Sequence, residues 1–345
     1  MIWTALAAAL LLCTPVAAQI VRTRTLDQDF REQQTSLAAQ SHRLSRPIAL
    51  GDAYRAVGVK WNAENGTPTL QLRGSSDGLH WTEWQSVQPS SDTPYGGLVY
   101  LGPDIRFLQY DLESPRRNVL HGVQFLLIHP GDTPARLLHR SGRRVHDLPK
   151  PALVSRLDWG SPDGEQARSP IQYTTVTHLI IHHTGDSFPT TDYPAWVRAI
   201  WAFHVFSNGW IDIGYNFLID PKGNVYEGRA GGDGALGAHF SCQNGGTMGV
   251  ALLGTYSNVS PTPEAIRALE DLLSWKVDQL RLDPLATKLH PGTGLMLPVI
   301  ASHRDGNTSP SSCTRTECPG DLTYALLPKL RNDVSDRVRR IVAPR

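Results

Sequence analysis

The 345-residue sequence predicts two successive folds: a smaller all-β, sandwich-like domain over residues 46–148, then an α/β domain over 149–345 with a mixed central sheet flanked by helices. Three observations carry that division. Short alternating apolar runs broken by Asp77-Gly78 and Gly96-Gly97 dominate the first part. A basic, proline-containing stretch, GDTPARLLHRSGRRVHDLPKPALVSR, follows and suits an exposed connection. Beyond it, apolar strand-like runs alternate with segments of helical period.

Taken in order, the first eighteen residues, MIWTALAAALLLCTPVAA, are an apolar run ending in small side chains. They read as a secretory signal peptide cleaved near Ala18, too short and proline-broken to span a bilayer comfortably. Residues 19–45 are polar without sustained period and are expected to form a loosely packed lead-in. TLQLR, LHWTEWQSV and VQFLLIH then read as strands. In the second half VTHLIIHHT reads as a strand, and DYPAWVRAIWAFHVF as a helix capped by Asp192. YNFLID and GNVYEGR form a hairpin about Pro221 to Gly223, and MGVALLGTY a central strand. The segment SPTPEAIRALEDLLSWKVDQLRL is a helix with Thr262 as cap, Pro263 in the first turn, and Ile266, Leu269, Leu272, Leu273 and Leu280 on one face.

Thirty-three Lys and Arg against thirty-two Asp and Glu leave a formal charge of +1. No field of that size draws the whole protein to nucleic acid or an anionic membrane, so neither partner is expected and specificity must come from a site. Once the signal is removed three cysteines remain, Cys242, Cys313 and Cys318, and an odd count leaves one thiol outside any pair.

Side chains alternate faces along a strand, so His178 and His182 share one face and His183 takes the other. Four residues at about 3.3 Å each put His178 and His182 about 13 Å apart, too far for one metal. His182, at the strand's C-terminal end, is the candidate, and His178 reads as a core or surface histidine. A hydrolytic zinc takes three protein ligands and leaves a position open. His182, with His303 and a cysteine from the loop SHRDGNTSPSSCTRTECPG, would supply them. At this level either Cys313 or Cys318 fits. No HExxH helix is present. GSSDG, residues 74–78, matches the GxSxG nucleophile pattern at Ser76, but strand-like sequence follows where that motif needs a helix, so a turn at Asp77-Gly78 is the better reading.

Six blocks occur in order: VSRLDWG, THLIIHHT, FHVFSNGWIDIGYNFLIDPKGNVYEGR, GAH, GTMGVALLGTY and TECPGD. Together they resemble the peptidoglycan recognition proteins and the zinc-dependent type 2 N-acetylmuramoyl-L-alanine amidases, over about residues 152–335. The resemblance implies zinc held by His182, His303 and Cys318. It implies that Tyr215 approaches the reacting carbonyl and that Thr316 lines the centre. The expected reaction is hydrolysis of the amide between N-acetylmuramic acid and L-alanine, with peptidoglycan or its muropeptides as partner. Relatives that only bind peptidoglycan usually lack the cysteine, so its presence here implies an enzyme; the alternative is a non-catalytic recognition protein. His239 of GAH, His183, Thr184 and Arg229 are implied as substrate contacts, Arg229 meeting a stem-peptide carboxylate, while His204 reads as a packed core residue. A secreted or periplasmic monomer is expected.

Two departures stand out. AGGDGAL occupies the place of a Gly-Trp pair associated with the choice of third stem residue, so diaminopimelate or lysine preference does not carry over. His303 and Cys318 are fifteen positions apart, longer than usual for the family, and the insertion brings Cys313. With Cys318 assigned by the resemblance through its T-x-C-P-G frame, Cys313 is expected to form a disulfide with Cys242.

Overall fold

A computed structural model describes residues 21–29, 41–64, 67–89, 96–114, 119–133, 148–187 and 190–342. The expected signal peptide and most of the basic connection lie outside these residues.

The first half folds as one seven-stranded antiparallel sheet. Its members are β1 (Arg22–Asp29), β2 (Ser41–Leu44), β3 (Ile48–Glu64), β4 (Thr69–Ser75), β5 (Gln85–Ser86), β6 (Gly96–Ser114) and β7 (Val119–His129). The order is β1-β7-β3-β6-β4-β5, with β2 also on β6. A sandwich of two sheets was expected; among the described residues hydrogen bonding links the strands into a single antiparallel sheet. The long strands β3 and β6 make this possible, with register shifts between Ala49 and Tyr54 and between Tyr54 and Ala56 where the pair bends. Two expectations are corrected. The lead-in is not loose throughout, because β1 pairs along its full length with β7 and β2 pairs with β6. LHWTEWQSV contributes only the two residues of β5; Leu79, in the turn before it, is 80% exposed. GSSDG is a turn as read: Ser75 Oγ accepts from the Gly78 N–H, and Gly78 has φ +79°. Ser76 sits exposed in that turn with no helix after it.

The second half is built on a six-stranded mixed sheet of order β15-β9-β12-β10-β11-β8. Its strands are β8 (Leu153–Val154), β9 (His178–His183), β10 (Phe217–Ile219), β11 (Val225–Glu227), β12 (Thr247–Leu252) and β15 (Ile300–Ser302). The β10-β11 hairpin is antiparallel and the other pairs are parallel. All six residues of β9 and of β12 are buried, as central strands covered on both faces must be. One face carries α2 (Pro263–Leu280), whose Thr262 cap accepts from the Ala265 N–H. It also carries α3 (Asp321–Val342), packed with α2 around Leu269, Leu273, Leu327 and Val334. The other carries α1 (Tyr193–Ala202), whose Asp192 cap also accepts from Ala195 N. A short hairpin, β13 (Thr287–His290) with β14 (Leu295–Pro298), precedes β15.

The seven-stranded sheet packs on α1. Ala56, Tyr100, Leu126 and Ile128 share one apolar cluster with Trp196, Ile200 and Phe203. Gly58 admits the Phe203 ring, since a Cβ there would lie 2.8 Å from it. The fully buried Arg198 donates to the carbonyls of Pro130, Gly131 and Trp159, joining the end of β7 to the second half.

Candidate metal centre

Sheet register assembles the site. β15 pairs in parallel with β9, Ser302 opposite Ile181, so the next residue on each strand, His303 and His182, leaves adjacent C-terminal ends side by side. The chain then turns. Asp305 accepts from the Ser302 backbone N–H, closing a capping box over residues 302–305 that fixes where His303 points.

Cys318 arrives from the opposite side on the Thr-Glu-Cys-Pro-Gly turn. Thr316 Oγ1 accepts from the Cys318 N–H at 3.0 Å, and Asn307 clamps Thr316 through both its backbone groups. Gly320 has φ +85°, and a Cβ there would lie 2.4 Å from Tyr256 backbone, so glycine is required for the turn to close. Cys318 is 1% exposed, with Sγ 3.6 Å from His182 Nδ1 and accepting from the His183 N–H at 3.3 Å.

The donor atoms of His182, His303 and Cys318 all lie within 4.8 Å of one another, and all three residues are buried. Two imidazoles and one sulfur at such separations form a set that could hold a metal ion, and the softness of the sulfur suits zinc among the common candidates. Burial keeps the imidazoles neutral. It lowers His182 well below the usual histidine range, helped by His303, His239 and His183, and brings His303 down to about 3. A neutral ring offers a lone pair, which a ligand needs.

Tyr215 is brought to the site, its ring centroid 5.3 Å from that of His182 and 5.6 Å from that of His204. The other implied contacts are placed differently. His239 is 1% exposed and stands behind His182, its Nδ1 3.0 Å from His182 Nε2. His183 is 6% exposed, lowered to about 4 by burial and the nearby Arg304, and its Nδ1 accepts from the Tyr256 N–H. Thr184 spends its hydroxyl on Asp186 and on the Gly254 N–H. Arg229 is 8% exposed and donates from Nη1 to Ile213 O. The Thr316 hydroxyl shapes the cysteine turn. Alternation along β9 correctly turned His183 away from His182, but nothing in the pattern shows that buried loops cover His183 and His239. His178 and His204 are core residues as read: His178 lies between Thr177 and Lys288, and His204 Nδ1 accepts from the Gly214 N–H.

The inserted loop is fastened by a Cys242–Cys313 disulfide, as expected. What sequence reading missed is Ser241, whose Oγ is 2.8 Å from His303 Nε2. Its signal was available: it is the residue before a paired cysteine beside the site.

A sequence model of the N-acetylmuramoyl-L-alanine amidase family, Amidase_2, matches residues 172–321. The chain is 34% identical over 170 residues to peptidoglycan-recognition protein SC1a/b of Drosophila simulans, covering 49% of this chain and 80% of that protein. It is 36% identical over 182 residues to peptidoglycan recognition protein 1 of Bos indicus, covering 51% and 82%. An N-acetylmuramoyl-L-alanine amidase of Sus scrofa is 33% identical over 199 residues, where the match takes in 55% of this chain but 29% of the pig protein. Among solved structures, the ectodomain complex of peptidoglycan recognition proteins LCa and LCx, bound to tracheal cytotoxin, aligns at TM-score 0.41 and 27% identity, over 51% of this chain and 93% of that one.

Proposed function

Because this chain belongs to the family of peptidoglycan recognition proteins and N-acetylmuramoyl-L-alanine amidases, which includes both enzymes and proteins named for recognition, we propose that it is one of the enzymes. It hydrolyses the amide joining N-acetylmuramic acid to L-alanine in peptidoglycan, using zinc. One observation supports this above others: His182, His303 and Cys318 converge with donor atoms within 4.8 Å. A protein that only held muropeptide would have no need to bury a thiol between two neutral imidazoles.

His182, His303 and Cys318 would hold the ion, which when bound supplies a Lewis acid that polarises an amide carbonyl and makes water more acidic. The rest falls to the chain. The Tyr215 hydroxyl would donate to the carbonyl oxygen as negative charge builds on it, and burial of the ring holds that hydroxyl in place before substrate arrives. Attack by water gives the lactyl carboxylate, and the departing amine of L-alanine leaves with a proton from that water. Thr316 and Asn307 hold the cysteine turn.

The enzyme is proposed to work as a secreted or periplasmic monomer on muropeptides, with the amidase unit over 149–345 and the seven-stranded sheet as its accessory domain. None of the described helices is long and apolar enough to cross a membrane. Mass spectrometry of products from a defined muropeptide tests the proposal. The expected result is free stem peptide with an intact L-alanine amine, lost in His303→Ala. Zinc-loaded protein that binds muropeptide yet releases no peptide would overturn it.

A further inference from the structure

Behind each ligand imidazole runs a chain of hydrogen bonds, and for His182 the direction can be read from the far end. The Thr247 hydroxyl donates to Asn244 O at 2.7 Å. Its one proton is thereby used, so toward His239 Nε2, 3.2 Å away, it accepts. His239 therefore carries its proton on Nε2 and presents a lone pair at Nδ1. That lone pair accepts from His182 Nε2 at 3.0 Å. His182 must then be the Nε2–H tautomer, with the lone pair on Nδ1, the nitrogen that faces Cys318 Sγ. The ring is held in this position by two glycines: a Cβ at Gly237 or Gly249 would lie 2.3 Å or 2.6 Å from His239 carbon atoms.

The second chain reaches His303 through the inserted loop. Ser241 Oγ lies 2.8 Å from His303 Nε2, 3.2 Å from Thr314 O and 2.6 Å from Thr314 Oγ1. If Ser241 gives its proton to Thr314 O, it accepts from His303 Nε2 and Nδ1 becomes the ligand nitrogen. Ser241 and Thr314 each stand next to a half of the Cys242–Cys313 disulfide, and Cys313 N donates to Ser241 O. Ser241 and Cys242 both have left-handed φ values, 43° and 71°, which side-chain-bearing residues adopt only when the surroundings impose them.

Building on the zinc reading, we propose that His239 and Ser241 are positioning residues that select the nitrogen each imidazole offers to the metal, and that the Cys242–Cys313 disulfide keeps Ser241 in place. The metal's hold on this protein then depends on the bond that fastens the inserted loop and is weakened by its reduction. Outer partners of this kind tune metal affinity by about 10- to 100-fold.

The metal-free protein tests the first part: long-range nitrogen–proton NMR should show His182, His239 and His303 all protonated on Nε2, and an Nδ1–H form of His182 or His303 overturns the assignment. Zinc affinity, measured by chelator competition on the full chain, tests the second. His239→Ala and Ser241→Ala should each lose about 10-fold or more. His239→Asn, which keeps an acceptor near the Nδ1 position, should recover much of the loss. Mild reduction, or Cys242→Ser with Cys313→Ser, should lower affinity several-fold while circular dichroism of the metal-free chain stays native. Wild-type protein that takes up no zinc sinks the metal reading itself. Wild-type that binds zinc, with variants that bind it equally well, sinks only this inference.

Discussion

The rings of His182 and His303 stand 4.8 Å apart, centroid to centroid, although one lies one residue before the end of β9 and the other directly follows β15. Parallel pairing of β9 with β15 makes that meeting unavoidable once the register is set. Loss of Cys318 should therefore separate chemistry from folding. Cys318→Ala is expected to abolish release of stem peptide and to weaken zinc by orders of magnitude, while muropeptide binding changes little. Product mass spectrometry and calorimetric titration check it; residual turnover near wild type would remove Cys318 from the centre.

Tyr215→Phe deletes one hydroxyl and leaves the buried ring in its packing against His182 and His204. If that hydroxyl stabilises the developing oxyanion, kcat should fall about 10²- to 10³-fold with KM nearly unchanged, the magnitude found for single oxyanion donors. A rise confined to KM would instead make Tyr215 a ground-state contact.

Gly249→Ala places a methyl group 2.6 Å from the His239 ring with backbone strand on either side, so the ring must move. Overpacking of this kind costs about 1–3 kcal/mol. The distinctive expectation is that zinc weakens as well, because His239 is what His182 Nε2 meets. Denaturant unfolding with chelator competition reads both, and lost stability with undiminished zinc affinity would detach His239 from the metal.

How much of this was open to sequence reading follows from where each residue's information lies. Motif residues His182, His303, Cys318 and Tyr215 converge because local frames carry them: a strand end, a capping box, a Cys-Pro-Gly turn. How far the implied substrate contacts are exposed was not legible, because exposure is a property of the whole fold. His239 and Arg229 sit in segments that read as loop and strand edge, yet long-range packing buries both. The helix α3 went unseen because Pro328 and its many charged residues obscure its period, and it is fixed by Leu327, Leu330 and Val334 packing into the main core. β1 was missed because its polar sequence gains strand structure only from β7 beside it.

Acid should destabilise the metal-free protein more than its near-neutral charge suggests. Burial lowers His204, His239 and His303 to about 3, His183 to about 4, and His182 well below the ordinary value. Above about pH 6.5 these rings are neutral in both folded and unfolded chains and contribute no pH dependence. Below it the unfolded chain takes up protons that the folded one refuses, and each ring then costs about 1.4 kcal/mol per pH unit. Asp186 acts oppositely, since burial raises it to about 7 and the folded chain binds its proton first between about pH 7 and 4. Burial also raises Asp212, Glu227 and Glu270 and lowers His129, His178 and His290, so the lowered histidines outnumber the raised carboxyls and the urea midpoint should drop between pH 7 and pH 5. An unchanged midpoint would contradict neutral, buried imidazoles.

Arg198→Leu tests whether the seven-stranded sheet and the six-stranded half unfold together. The guanidinium is fully buried and satisfies the carbonyls of Pro130, Gly131 and Trp159 with its own donors, while Thr133 Oγ1 takes another. Leucine keeps apolar bulk on α1 but leaves several carbonyls desolvated without a donor, at about 1–3 kcal/mol for each that water cannot reach. Pro130 and Gly131 directly follow β7, so this loss falls on the junction rather than on either core. The wild type is expected to unfold in one transition, because Ala56, Leu126 and Ile128 share a cluster with α1. The variant should unfold earlier and in two steps, with tryptophan fluorescence and circular dichroism no longer coincident. Coincident transitions shifted together would mean that the apolar cluster shared by Phe203, Leu126 and Ile128 couples the two sheets without Arg198.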